Sequence, residues 1–179
     1  MKIGLSGVQS VGKTTLLNAL RSEEFFKNFN VQTEATRWVK QIGLNINEDG
    51  NDLTQSLIIM KHIENVFMND DLLSDRTALD VYCYTLWMAR KGKVSQKTLE
   101  HVYNAKEKIL KEYDYIFYIK PEFEIEDDGV RSIDVSFRDE MLEIFNEMVK
   151  KSSHQNIITI SGSVAQRITQ VMETINETK

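Results

Sequence analysis

Apolar residues along this chain alternate between short continuous runs and stripes at helical spacing. The run "KIGLSG" (2–7) reads as a buried strand that ends in a turn. A helix follows from Lys13 to Leu20, with Leu16, Leu17 and Leu20 on one face. "FNVQT" (29–33) predicts a second strand and 35–42 a helix. Residues 52–67 predict another helix, capped by Asp52. "DLLSD" (71–75) is a short apolar run between polar residues, as expected of a central strand. A helix over 78–90 stops before Gly92. Ser95 caps a longer one, running to about Glu112, with Leu99, Val102, Ile109 and Leu110 at helical spacing. "YDYIFYIK" (113–120) is β-rich and halted by Pro121, the chain's one proline. After a polar segment (121–138), a helix (138–150), a last strand (156–162) and a last helix (163–175) complete the pattern. Strands alternating with helices imply an α/β protein: a parallel sheet covered on both faces, with ligands at the carboxyl ends of its strands.

The length of 179 residues fits one domain, 1–179, with room for a small mobile insertion. Net charge is −5, which argues against sequence-independent binding to nucleic acid. A single cysteine, Cys83, excludes an internal disulfide and is expected to pack inside a helix. Three scattered histidines, His62, His101 and His154, give no zinc spacing. No run of about eighteen apolar residues occurs, and the chain enters its first motif directly, so a cytoplasmic location away from membranes is expected.

That motif is Gly7-Val8-Gln9-Ser10-Val11-Gly12-Lys13-Thr14, followed by Thr15. It fits G-x-x-x-x-G-K-[ST] and lies between a predicted strand and a predicted helix. Backbone N–H groups of residues 8 to 14 would surround nucleotide phosphates, and the helix N-terminus favours their charge. Lys13 would reach the β- and γ-phosphates, and Thr14 would ligate Mg²⁺. A small-GTPase reading needs a guanine-reading Asn-Lys-x-Asp after a later strand and a DxxG after the third. Neither is present.

Three polar clusters fall where strands end. Glu34 and Arg37 follow the second strand, one helical turn apart, as a substrate pair or an ordinary surface ion pair. Asp75 ends the third strand, where it could hold Mg²⁺ or accept a proton from a substrate hydroxyl. Arg76 would project into the same crevice, and Asp80, a turn later, could orient either group or bind substrate. A capping aspartate beside a surface arginine is the plainer reading of that stretch. Arg131 and Arg138 sit in the otherwise acidic 121–138 segment, the place of a lid whose arginines neutralise a moving phosphoryl group. Trp38, Tyr82 and Trp87 could stack on a base, although core packing accounts for most such aromatics.

Together these residues resemble P-loop nucleoside and nucleotide kinases. "SDRTALDVYCY" is similar to the Asp-Arg motif of thymidylate kinases. Glu34-Ala35-Thr36-Arg37-Trp38 and Asp127-Asp128-Gly129-Val130-Arg131 are similar to segments of the nicotinamide-riboside kinase domain of NAD-salvage proteins and of related phage-type AAA/kinase-like NTPases. The resemblance spans about residues 1–175. It departs from the riboside kinases at Asp75-Arg76, from thymidylate kinases after the second strand, and it lacks an adenylyltransferase domain. It implies a three-layer P-loop NTPase fold, with a five-stranded parallel sheet ordered 2-3-1-4-5, helices on both faces and a small lid. It implies transfer of the γ-phosphate of ATP, with Mg²⁺ on Thr14 and Asp75, to a small-molecule nucleoside or nucleoside monophosphate. Lys13, Arg131 and Arg138 would stabilise the transferring group. Asp75 or Glu34 would be the base, and Glu34, Arg37, Arg76 and Asp80 would bind substrate. A regulatory NTPase and a kinase acting on DNA remain as alternatives, and a homodimer stays open.

Overall fold

The structure, a computed structural model, describes residues 1–33, 35–121, 135–152, 154 and 156–177. Five strands form one parallel sheet: β1 (Lys2–Ser6), β2 (Asn30–Gln32), β3 (Leu72–Asp75), β4 (Tyr115–Ile119) and β5 (Ile157–Ile160). Their order is β2-β3-β1-β4-β5, as the resemblance implies. Between and after them run α1 (Lys13–Arg21), α2 (Ala35–Gln41), α3 (Asp52–Phe67), α4 (Ala78–Arg90), α5 (Gln96–Ile109), α6 (Val135–Lys151) and α7 (Val164–Glu177). Helices α1 and α7 pack together, while α2 to α6 pack mainly among themselves, giving the two helical layers.

The central strands are buried on both faces, which explains their near-continuous apolar runs. Ile116, Phe117, Tyr118 and Ile119 of β4 are all buried, as are Ile3 and Leu5 of β1. In the register Leu5 pairs with Asp75 on one side and Phe117 on the other, so the carboxyl ends of β1, β3 and β4 finish at one edge. The crevice expected there is therefore built by the sheet itself.

Local chemistry moved some boundaries. Asn51, not Asp52, caps α3: its side chain accepts from the Thr54 N–H, and the Thr54 hydroxyl accepts from the Asn51 N–H in return. Asp52 instead accepts from the N–H and hydroxyl of Ser95, tying the start of α3 to the cap of α5. Helix α5 ends at Ile109 and tightens into a 3₁₀ turn over Leu110–Glu112. Helix α6 begins at Val135, three residues before the expected start, so Arg138 lies in its first turn. Cys83 is fully buried in α4, and burial pushes its thiol well up, as suits a packing residue.

Gly4 marks a close approach between β1 and the start of α4. A Cβ there would lie 2.3 Å from Thr77 Cγ2 and 3.0 Å from Tyr113 Cε1. Gly4→Ala should therefore push the start of α4 away from β1 and cost about 1–3 kcal/mol, read as a lower urea midpoint. An unchanged midpoint would mean that Thr77 can yield freely.

Candidate active site

The phosphate loop begins where β1 runs out. Gly7 takes φ 144° and Gly12 takes φ 85°. A Cβ on Gly7 would meet the Ile119 carbonyl oxygen at 2.7 Å, so only glycine lets the chain turn this close to β4. Ser10 also adopts a left-handed conformation, φ 59°, rare for a residue with a side chain. The turn brings the N-terminus of α1 to the strand edge. Lys13 is almost fully buried, and its Nζ donates to the carbonyls of Gly7 (2.8 Å) and Val8 (2.6 Å). The ammonium is thus held over the loop, where anions would meet it with little screening.

Thr14 and Asp75, from different elements, meet. The Thr14 hydroxyl donates to Asp75 Oδ2 at 2.6 Å, and Asp75 is buried at the end of β3. Among the described residues no cluster of three or more His, Cys, Asp or Glu could hold a metal. A hard hydroxyl–carboxylate pair beside a phosphate loop does suit Mg²⁺, which keeps waters and phosphate oxygens as its remaining ligands.

Asp80 is the hub of the edge. Its carboxylate accepts from Ser6 Oγ (2.7 Å), the Gly7 N–H (3.2 Å), the Thr77 N–H (3.1 Å) and Thr77 Oγ1 (3.2 Å). Arg76 Nη1 lies 3.4 Å from its Oδ1. With both oxygens engaged, Asp80 fixes β1, the loop and α4 relative to one another. These contacts orient Arg76, and Asp80 also lines the cleft beside it.

Arg76 carries φ 79°, a left-handed conformation in a non-glycine residue. Both of its backbone groups are held: its N–H donates to Leu5 O, and its carbonyl accepts from Ser74 Oγ. The conformation turns its guanidinium over the Tyr84 ring, 5.3 Å from the centroid. Arg76, Asp80 and Tyr84 wall a narrow cleft with Thr36 of α2, Asn47, and Gln55 and His62 from the inner face of α3. Its free volume is about 30 Å³. That is room for one or two waters, so a larger ligand must part its walls. Tyr84 joins this cleft to the phosphate loop, its Oη donating to Gln9 Oε1 at 2.9 Å. Gln9 is buried, and its Nε2 has no hydrogen-bond partner.

The remaining expected residues sort as follows. Glu34 and Arg131 lie outside the described residues. Arg37, on α2, and Arg138, on α6, do not line the cleft. Trp38 is partly exposed on α2, Tyr82 packs on Tyr103, and Trp87 packs on Phe137 while its Nε1 donates to Glu140. Tyr84, Gln55 and His62 were missed. Tyr84 stands one turn beyond Asp80, and the two α3 residues are polar groups on a buried helix face shared with Thr54, Ile58, Ile59, Asn65 and Val66. Helical spacing places Tyr84 beside Asp80 and His62 beside Ile58 and Ile59, the signal that could have pointed to them. Arg167 was missed as well. It is fully buried in α7 and donates from Nη1 to the Val11 carbonyl at 2.6 Å, bracing the loop from behind.

The chain belongs to an AAA domain family, whose model matches residues 2–167. No curated protein matches it in sequence. Solved structures share its fold. A deoxyadenosine kinase from M. mycoides, with the products dCMP and a flexible dCDP bound, superposes with a TM-score of 0.74 at 15% identity, covering 100% of both chains. The NadR protein in complex with NR gives 0.70 at 17% identity, over 98% of this chain and 50% of that one. Thymidylate kinase from Candida albicans gives 0.67 at 17% identity, over 98% and 91%. The fold is therefore one that nucleoside and nucleotide kinases use.

Proposed function

We propose that this protein is an ATP-dependent kinase that transfers the γ-phosphate to the hydroxyl of a nucleoside. The observation that carries the reading is the second compartment: a cleft walled by Arg76, Gln55, His62 and Tyr84, joined through Tyr84 and Gln9 to the phosphate loop. A machine that only hydrolyses nucleotide has no use for a polar cleft at that junction. The described wall brings one guanidinium, already held beside Asp80, against Thr36, Asn47, Gln55 and Tyr84. This suits a neutral acceptor better than a monophosphate, whose extra charge calls for a clamp of several cations. Entry of a base parts the α2 side of the cleft from α4.

In this reading the acceptor oxygen forms a bond to the γ-phosphorus as the bond to the β,γ-bridging oxygen breaks, and the acceptor proton passes to a carboxylate. Lys13 and the loop N–H groups carry the charge that spreads over the transferring group. Mg²⁺, when bound, neutralises phosphate charge and fixes the in-line geometry. Thr14 and Asp75 fit its site, and that leaves Glu34 as the base. Gln9 Nε2 offers a donor between donor and acceptor. Within a single domain, a lid after Pro121 would carry Arg131 and lead into the first turn of α6, which holds Arg138, and Arg37 is an outer contact for the acceptor. No helix among the described residues is long and apolar enough to cross a membrane.

The test is ADP release measured against a panel of nucleosides, nucleoside monophosphates and an oligonucleotide. A nucleoside should raise the rate well above basal hydrolysis. Equal rates with every acceptor would point to a regulatory NTPase instead, and stimulation by the oligonucleotide alone to a DNA kinase.

A further inference from the structure

A second cavity, of about 270 Å³, lies between α4, α5 and the end of α6. With about 3.6 residues per turn, Leu79 and Tyr82 leave α4 on the side opposite Asp80, Val81, Tyr84 and Met88, which face the cleft. Helix α4 thus separates the two spaces. Leu79, Leu110 and Met148 make part of the cavity wall apolar. Two rings and a buried cation make the rest. The Lys106 ammonium lies 4.6 Å from the ring centroids of both Tyr82 and Tyr103. Lys106 is 8% exposed. Among the described residues, Glu107 Oε1, at 2.5 Å, is the one oxygen partner of its N–H groups. His154 also lines the cavity, with its side chain 12% exposed. Its Nε2 has no hydrogen-bond partner, and Glu107 Oε2, at 3.9 Å, is too far to serve. Buried nitrogens short of acceptors are stabilised by a ligand that brings oxygen.

Charge and shape set the class of that ligand. Glu107 balances Lys106, and Glu147 balances Lys151. Of the charges lining the cavity, a protonated His154 is then the one left without a counter-charge, so a single negative charge suits it. Tyr103 is 44% exposed, which leaves its ring open to a planar partner. The volume lies just under the roughly 300 Å³ at which small-molecule sites begin, enough for one ring or two fused rings. Acidity offers a signature. Burial holds the imidazole below its usual pKa, and Tyr82, Lys106, Glu107, Lys111 and Lys151 are the titratable groups around it. An incoming anion favours the imidazolium, so binding takes up a proton and tightens as pH falls.

We infer that this cavity binds a small planar aromatic carboxylate, its ring against Tyr82 and Tyr103 and its carboxylate between Lys106 and His154. The site does not depend on the kinase reading, and its test needs no turnover. In calorimetric titration, 2-naphthoate should saturate one site with a dissociation constant below about 1 mM. 2-Naphthalenemethanol, the same rings without the charge, should bind at least about tenfold more weakly. Acetate, the charge without the rings, should not saturate. The affinity for 2-naphthoate should rise about tenfold between about pH 8 and about pH 6. His154→Gln should remove that rise and weaken binding about tenfold at the lower pH. Lys106→Met should weaken it at least about tenfold at either pH. Should Lys106→Met unfold because Glu107 is left alone, the double variant Lys106→Met, Glu107→Gln removes both charges and decides. Absence of binding up to about 10 mM overturns the inference. So does equal affinity for the alcohol, or an affinity that His154→Gln or the Lys106 variants leave unchanged.

Discussion

Lys13→Ala is expected to abolish phosphoryl transfer, with kcat/KM for ATP falling by at least about a thousandfold, or about 4 kcal/mol of transition-state stabilisation. The size follows from where the ammonium sits. It is 5% exposed and anchored by two loop carbonyls, so its charge acts through a medium that screens poorly. Alanine removes the charge and leaves two carbonyl oxygens facing the phosphates. The fold should survive, because the variant discards a buried charge instead of orphaning one. Unfolding midpoint and helical signal should stay near wild type while ADP release disappears. Lys13→Arg should not restore the rate, since a planar fork cannot replace a compact ammonium between two carbonyls. Retention of even about a tenth of the activity in Lys13→Ala would move the phosphate site away from this loop.

Much of the architecture was legible because its causes are local. The burial of β4 shows as four apolar residues in a row, and Gly7 and Gly12 mark the loop because other residues resist those dihedrals. The meeting of Thr14 with Asp75 was foreseeable from a strand-end aspartate in a parallel sheet, where register aligns the carboxyl ends. What stayed hidden depends on long-range placement. Nothing around Arg76 announces a left-handed backbone, which is imposed by a bond to Leu5 on another strand. The two distant bonds to Asp80, from Ser6 Oγ and the Gly7 N–H, are likewise a product of the assembled edge. Asn51 took the cap from Asp52 because Ser95, far along the chain, engages the Asp52 carboxylate.

Arg167 gave a signal that a simple charge reading passes over. It lies four residues before Val171 and eight before Ile175, the two buried apolar residues of α7, so it occupies the apolar stripe of an amphipathic helix. Burying a guanidinium is costly unless it is hydrogen-bonded. Here the phosphate loop supplies a partner, the Val11 carbonyl, at 2.6 Å. The bond turns that peptide so that its oxygen points back toward α7, and the cation adds positive potential beneath a site built for anions. Arg167→Met keeps the length of the side chain and much of its packing while removing both effects. Loss of a charge-assisted hydrogen bond of about 1.5–3 kcal/mol should raise the KM for ATP roughly ten- to a hundredfold. Stability should change little, since a buried charge is exchanged for an apolar side chain of similar volume. Arg167→Lys should recover part of the ATP affinity through charge alone, an outcome that a purely packing role cannot produce. Direct binding of a fluorescent ATP analogue gives the same comparison without any acceptor, so the result does not hang on which substrate is phosphorylated. If Arg167→Met binds nucleotide like wild type but melts at a lower temperature, the residue is a core element and the loop is braced by α1 alone.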